Sequence, residues 1–304
     1  MLKRRMVFYR WSSQDSDKLF DPYTVVADLY TRIQTDEEAG ILDDGDSTVA
    51  VVPIEFIDRS KPVRLQLLSL RSAGRLPAKW RPDAPLDSIP LLAGEYSADV
   101  THVCIWPDGI AGQEYHANAP RLNRLSFFFR RNSGVRTLFE PLYNPDMFDR
   151  LERLRGRLRS VHITLVNPHY AHATDRSGAF GELIPAVFGS RAPSLNVQLG
   201  MGRYGPRDRF LDAGIEDAVF DIAEHAHEQV DRMVVGGINP TTGKAERVDL
   251  LNERVQIERN LPENPRVKSI PESDVAFLAI GEARVELDRS ALIARSVQAQ
   301  AVHK

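Results

Sequence analysis

With 304 residues, 42% of them hydrophobic and 27% charged, the chain has an ordinary globular composition and enough length for two domains. Its net charge of -3 excludes a general basic field, and no window approaches the roughly 18 apolar residues that span a bilayer. One cysteine, Cys104, excludes an intrachain disulfide, and Met1–Arg5 lacks the apolar run of a signal peptide, so a cytoplasmic location is expected.

In chain order, Met6–Trp11 reads as a strand and Tyr23–Ile33 as a helix, followed by an acidic linker over Asp36–Asp46. Val49–Ile57 and Val63–Leu70 are strand-like around the turn Asp58–Pro62, and the Pro-rich stretch Pro77–Pro90 reads as a surface loop. Pro107-Asp108-Gly109 predicts a tight turn between strands Thr101–Trp106 and Ile110–His116. Asn118 is placed to cap a helix running to about Arg131, with Pro120 tolerated in its first turn.

Val135–Glu140 predicts a short strand, Pro145–Leu154 a helix and Val161–Val166 another strand. Helix signals over Ser177–Val187 and strand signals over Ser194–Leu199 follow. Leu211, Ile215, Val219, Ile222 and Ala226 recur at helical spacing, one apolar stripe on an acidic helix. Strands Arg232–Ile238 and Glu253–Arg259 flank the turn Asn239–Gly243, and Ser269 with Glu272 forms a capping-box pattern before a helix to about Val297. Hairpins interrupt the alternation of strands and helices, which predicts an α+β fold with mixed sheets and packed helices. The changes of pattern near residues 145 and 230 predict a core of residues 1–145 and 230–304, with 146–229 as an inserted second domain.

Four motifs resemble catalytic sites. Gly200-Met201-Gly202-Arg203-Tyr204-Gly205 matches a dinucleotide fingerprint, but Pro206 follows and the strand-end carboxylate is missing, so a basic loop is the better account. His169, His172 and Asp175 have spacings that suit a metal, in a segment that Pro168 and Thr174-Asp175 make a loop. His225 and His227 stand two apart on a helix, and their rings diverge. His162-Ile163-Thr164 and His172-Ala173-Thr174 each match half of a two-histidine phosphoesterase, which requires its halves far apart in sequence. No G-x-S-x-G elbow, Walker loop or carboxylate pair is present. The expectation is a protein that is not an enzyme and needs no cofactor or metal.

Charge is segregated instead. Between Asn118 and Ser160 stand ten arginines and four acids, a local +6 against about -9 for the remainder. Arg121, Arg124 and Arg131 share one face of the helix after Asn118; Arg130 follows the same helix, and Arg155, Arg157 and Arg159 lie further on. Arg203, Arg207 and Arg209 form a second set in the Gly/Pro loop, whereas Asp212–Asp231 holds seven acids and no Lys or Arg. Arginine presents a planar, permanently charged fork that bonds phosphate oxygens bidentately. Several on one face point to salt-dependent, sequence-tolerant binding of duplex DNA. A solvated, salt-bridged surface is the competing account. No helix-turn-helix, zinc finger or aromatic RNA-binding strand supports base readout.

An ordered series of motifs resembles the RexA family of lambda-like prophage exclusion proteins. It runs from Val103-Cys104-Ile105-Trp106-Pro107-Asp108-Gly109-Ile110-Ala111-Gly112 through Ala119–Leu125 and Val135–Leu142, the last closing in Glu140-Pro141-Leu142. Ser194–Leu199, then Gly243–Val255 with Asp249-Leu250-Leu251, then the helix from Glu272 complete it, covering about residues 100–290. The resemblance implies a homodimeric, non-sequence-specific double-stranded DNA-binding protein that acts with a RexB-like membrane channel protein to abort superinfection. One departure is that the family's lysine-rich run is represented only by Arg203, Arg207 and Arg209. The alternatives are a metal-dependent nuclease at His169, His172 and Asp175, a nucleotide-binding protein at Gly200–Gly205, or an interaction module using Asp212–Asp231.

Overall fold

The computed structural model describes residues 1–13, 20–43, 48–72, 79–81, 84–87, 90–92, 94–116, 118, 120–135, 137–166, 194–202, 206, 208–225, 230–250 and 252–302. These residues form an α+β protein. They divide into two compact units, Met1–Phe139 with Gln256–Glu286, and Glu140–Val255 with Leu287–Lys304. The sequence expectation placed two exchanges, near residues 145 and 230, whereas the chain passes between the units at 139/140, 255/256 and 286/287.

The first unit is built on an antiparallel sheet. Strands β1 (Leu2–Ser13), β2 (Ile41–Asp43), β3 (Thr48–Glu55), β4 (Val63–Arg71), β7 (Ser97–Ile105), β8 (Ile110–Tyr115) and β14 (Gln256–Leu261) lie in the order β14-β1-β8-β7-β4-β3-β2, and β9 (Thr137–Pro141) also pairs with β1. β5 (Lys79–Arg81) and β6 (Ala84–Asp87) form a separate hairpin where the prolines suggested only a loop. The supposed acidic linker carries a 3-10 turn, Glu37–Gly40, and then β2. Only the pairing Leu42↔Val49 reveals so short a strand.

Side chains alternate across this sheet, so each strand serves two layers. Val7, Tyr9, Val63, Leu65, Leu67, Val103 and Ile105 meet Val26 and Leu29 of α1 (Pro22–Thr35) and Leu125, Phe128 and Phe129 of α2 (Leu122–Ser133) in one core. Asp21 caps α1 by accepting from the Tyr23 N–H, and Gly134 ends α2 at φ 70°, a left-handed position that suits glycine. The opposite face meets α5 (Ser273–Arg289), which buries Ala276, Phe277, Ile280 and Ala283. Gly112 of β8 allows this approach, since a Cβ there would stand 2.7 Å from Ile280 Cγ2. Cys104 lies buried on the same face as Gly112, and burial pushes its thiol up to about 12, as for an inert core cysteine.

The second unit has the sheet order β11-β10-β12-β13, formed by β10 (Leu158–Val166), β11 (Ser194–Gly200), β12 (Val230–Ile238) and β13 (Ala245–Asp249). Val161, Ile163, Met233, Val235 and Val248 point into a core completed by Met147, Phe148 and Leu151 of α3 (Pro145–Arg153) and Val219, Phe220 and Ile222 of α4 (Ala213–His225). Val219 and Ile222 belong to the predicted stripe, with Leu211 and Ile215 packed at its edge. The single C-terminal helix expected from the sequence is two, because α6 (Leu292–Val302) restarts after Ala291, a non-glycine residue at φ 55°.

Candidate nucleic-acid interface

The strand that carries the central arginines begins with an irregularity. The register of β10 against β12 shifts between Leu158 and Ser160, which lets both Leu158 and Val161 face the core. Arg157 stands exposed before the strand, and Arg159 leaves it beside a second segment. That segment is hydrogen-bonded to the start of β10. Met201 N–H donates to Arg159 O at 2.9 Å, and Leu211 N–H donates to Leu158 O at 2.7 Å. The Arg159 guanidinium donates through Nη1 to Pro206 O at 2.7 Å and to Arg209 O at 3.4 Å. Arg209 therefore lies along the same edge as Arg157 and Arg159, about fifty positions away in sequence, with exposed Asp208 beside it.

The outer face of this sheet is polar by alternation. Cross-strand rows Gly200–Ser160–Gly236–Arg247 and Gln198–His162–Val234–Asp249 run across the four strands. They border a concavity of about 480 Å³ lined by Arg159, Ser160, His162, Gln198, Gly236 and Arg247. Glycine is needed at 237, where a Cβ would meet the Arg157 carbonyl at 2.7 Å; at 236 a Cβ would meet the Ser160 hydroxyl at 2.6 Å, which must then rotate away. His162 Nε2 is buried and has no hydrogen-bond partner among the described residues. Glu246 adds a negative charge, but Asn239 Nδ2 donates to it at 2.7 Å and Arg150 Nε at 3.3 Å. The Asn239 hydrogen bond is the main reason its carboxyl titrates below the usual range; burial opposes this, and Arg150 and Arg153 reinforce it.

The remaining arginines are tied in different ways. Arg155 is held by Glu152 through Nε at 2.7 Å and Nη2 at 3.1 Å, lies 3.7 Å from Asp217, and covers the Phe220 ring. Arg150 is shared among Glu246, Glu253 and the Arg247 carbonyl. In the first unit, Arg121 is the N-cap residue of α2, and Arg121 and Arg124 are both partly buried and engaged. Arg130 and Arg131 are exposed in the last turn of α2, where positive charge also complements the helix dipole. Arg203 and Arg207 lie outside the described residues, as do His169, His172, Asp175 and His227. Among the described residues no group of His, Cys, Asp and Glu is arranged to hold a metal.

Sequence reading missed Arg247, Gln198 and Ser160. The available signal was period-two alternation, in which Ser160, His162 and Thr164 oppose Val161 and Ile163; Arg247 and Gln198 needed the strand pairing itself. No known family model matches the chain, and neither does any curated protein. Among the described residues, no helix is long and apolar enough to cross a membrane.

Proposed function

We propose that the protein binds double-stranded DNA through its phosphates without sequence preference, using Arg157, Arg159, Arg209 and Arg247 of the second unit. The observation that carries this reading is the hydrogen bonding of Pro206, Arg209 and Leu211 to the start of β10. It gathers Arg157, Arg159 and Arg209 at one edge of a concavity whose lining mixes Ser160, His162 and Gln198 with Val161, Leu199 and Val234, and Arg247 stands across the sheet. Guanidinium groups so placed neutralise successive phosphates and release condensed counterions, which carries affinity without sequence preference. Arg203 and Arg207, which lie outside the described residues, are assigned to phosphate binding from the sequence alone, and Arg130 and Arg131 offer a second site.

The RexA-like motif order supports a specific setting. The protein is the cytoplasmic DNA-sensing arm of a prophage superinfection-exclusion system, acting as a homodimer with a RexB-like channel protein.

Fluorescence anisotropy on unrelated duplexes across a salt series tests the binding. All duplexes should bind alike at low salt, with a steep negative slope of log affinity against log salt. The triple variant Arg157→Ala, Arg159→Ala, Arg209→Ala should reduce that slope by about three, since each lost phosphate contact removes roughly one. No binding at low salt, or binding confined to one sequence, overturns the proposal. Cleavage that depends on a divalent ion would instead support the nuclease alternative.

A further inference from the structure

Beneath the N-terminus of α5, the first unit contains a polar relay that phosphate binding does not use. The β7–β8 hairpin pairs Cys104 with Gly112 and Val103 with Gln113, and the next step of that register sets His102 beside Glu114. Both side chains are fully buried, with His102 Nδ1 2.7 Å from Glu114 Oε2. His102 Nε2 lies 3.1 Å from Ser273 Oγ, and Ser273, the first residue of α5, is only partly buried. Thr101 Oγ1 donates to the Glu114 carbonyl, and Arg4 Nε donates to Glu114 Oε1 at 2.7 Å. That guanidinium pairs with the buried carboxylate. The His102 ring is also held edge-on to Phe277 at 5.1 Å.

We propose that Ser273, His102 and Glu114 form a serine nucleophile, general base and orienting carboxylate, able to cleave a small carboxylic ester. The roles follow from the contacts. His102 Nδ1 lies against Glu114 Oε2, and Nε2 faces both the Ser273 hydroxyl at 3.1 Å and the Gln66 amide nitrogen at 3.4 Å; in the tautomer whose Nδ1–H donates to the carboxylate, Nε2 is the acceptor for the Ser273 proton. Gln66 Nε2 donates to Ser273 Oγ at 2.8 Å, so an amide donor stands next to the attacking oxygen. The N–H groups of Ser273, Asp274 and Val275 open α5 ahead of the Ala276 N–H, which bonds the Glu272 carbonyl; a helix N-terminus carries partial positive charge, and the Asp274 carboxylate stands in the same turn. Buried ion pairs also fasten helices to sheets. That role alone does not require the serine hydroxyl to face an imidazole whose other nitrogen is fixed by a carboxylate.

The steps balance. Ser273 Oγ bonds to the ester carbon as its proton moves to His102 Nε2. The C–O bond to the alcohol breaks, and the leaving oxygen takes that proton. Water then attacks the acyl-serine with His102 as base, the Oγ–C bond breaks, and Ser273 regains its proton. The net reaction converts ester and water to acid and alcohol.

A fluorophosphonate probe applied to the full-length folded protein tests this assignment. The expected result is one adduct by intact mass, mapped to Ser273 and absent from Ser273→Ala. His102→Gln, confirmed as folded by circular dichroism, should label roughly 10²- to 10⁴-fold more slowly, the usual worth of a positioned base. Absence of an adduct on the folded wild-type protein overturns the proposal, as does labelling of folded His102→Gln at the wild-type rate. Because His102→Gln also removes a buried group, Ser273→Cys provides a second measurement. Its thiol should be alkylated faster than that of Cys104, and an equal rate counts against the relay.

Discussion

The guanidinium carbon of Arg155 lies 3.8 Å from the centroid of the Phe220 ring, while Glu152 grips the same group from the side. An arginine engaged on its face and its edge is a packing element that covers the second core. Arg155→Ala should therefore lower stability by about 1 kcal/mol, the usual scale of a partly exposed cation–π contact with its lost packing. The salt slope of DNA binding should stay at its wild-type value. Urea unfolding and a salt titration of the same preparation read the two effects separately. A fall of one in the slope with unchanged stability would return Arg155 to the interface.

Two glycines near the contact of α5 with its sheet should respond in opposite directions to the same substitution. Gly112→Ala places a methyl 2.7 Å from Ile280 Cγ2 and 3.1 Å from Phe8, so it should cost about 1–3 kcal/mol by overpacking. Gly281→Ala meets nothing within 4 Å and lies inside the helix, so it should stabilise by up to about 1 kcal/mol. Thermal unfolding of the two variants decides the matter, and equal shifts would contradict the described packing.

Glu246 gives a pH dependence whose sign follows from its environment. The Asn239 hydrogen bond, with Arg150 and Arg153, lowers its pKa in the folded protein. Its stabilising contribution is then fully present above the unfolded glutamate value of about 4.3 and is lost as pH falls through the lower folded value. Glu246→Gln should reduce stability at neutral pH and flatten the decline of stability as pH falls below the unfolded value of about 4.3. Parallel curves for variant and wild type across that window would show that Glu246 is not coupled to its partners.

Period-two and period-3.6 patterns identified the well-buried elements. Val63–Leu67 and the Val219–Ile222 stripe lie where their periods placed them, and the unbroken apolar run Met6–Tyr9 is buried on both faces of β1. Elements defined by a partner were hidden. β13 reads Ala-Glu-Arg-Val-Asp, contributes Val248 to the core, and is a strand because β12 pairs with it. The same applies to the sites. Charge counting found Arg157, Arg159 and Arg209, but the hydrogen bonds that gather them join positions that no local pattern connects. It also credited Arg155, whose ring contact with Phe220 depends on α4 packing across from the Leu154–Gly156 turn. His102 and Glu114 were nearly legible. The Pro107–Gly109 turn sets the hairpin register that aligns them, whereas Ser273 reaches them from 171 positions away.

The three passages of the chain between the two units bear on how the protein is made. The first unit waits for β14 to pair with β1 and for α5 to close the second face of its sheet. The second waits for α6, which packs along α3 and buries Ile293 and Ser296. Neither unit is complete until residues 256–302 have left the ribosome, so the usual order of vectorial synthesis, with an N-terminal domain finished first, is not open to this chain. Both units reach their final form late and nearly together. A nascent chain halted at Val255 exposes apolar surface on both.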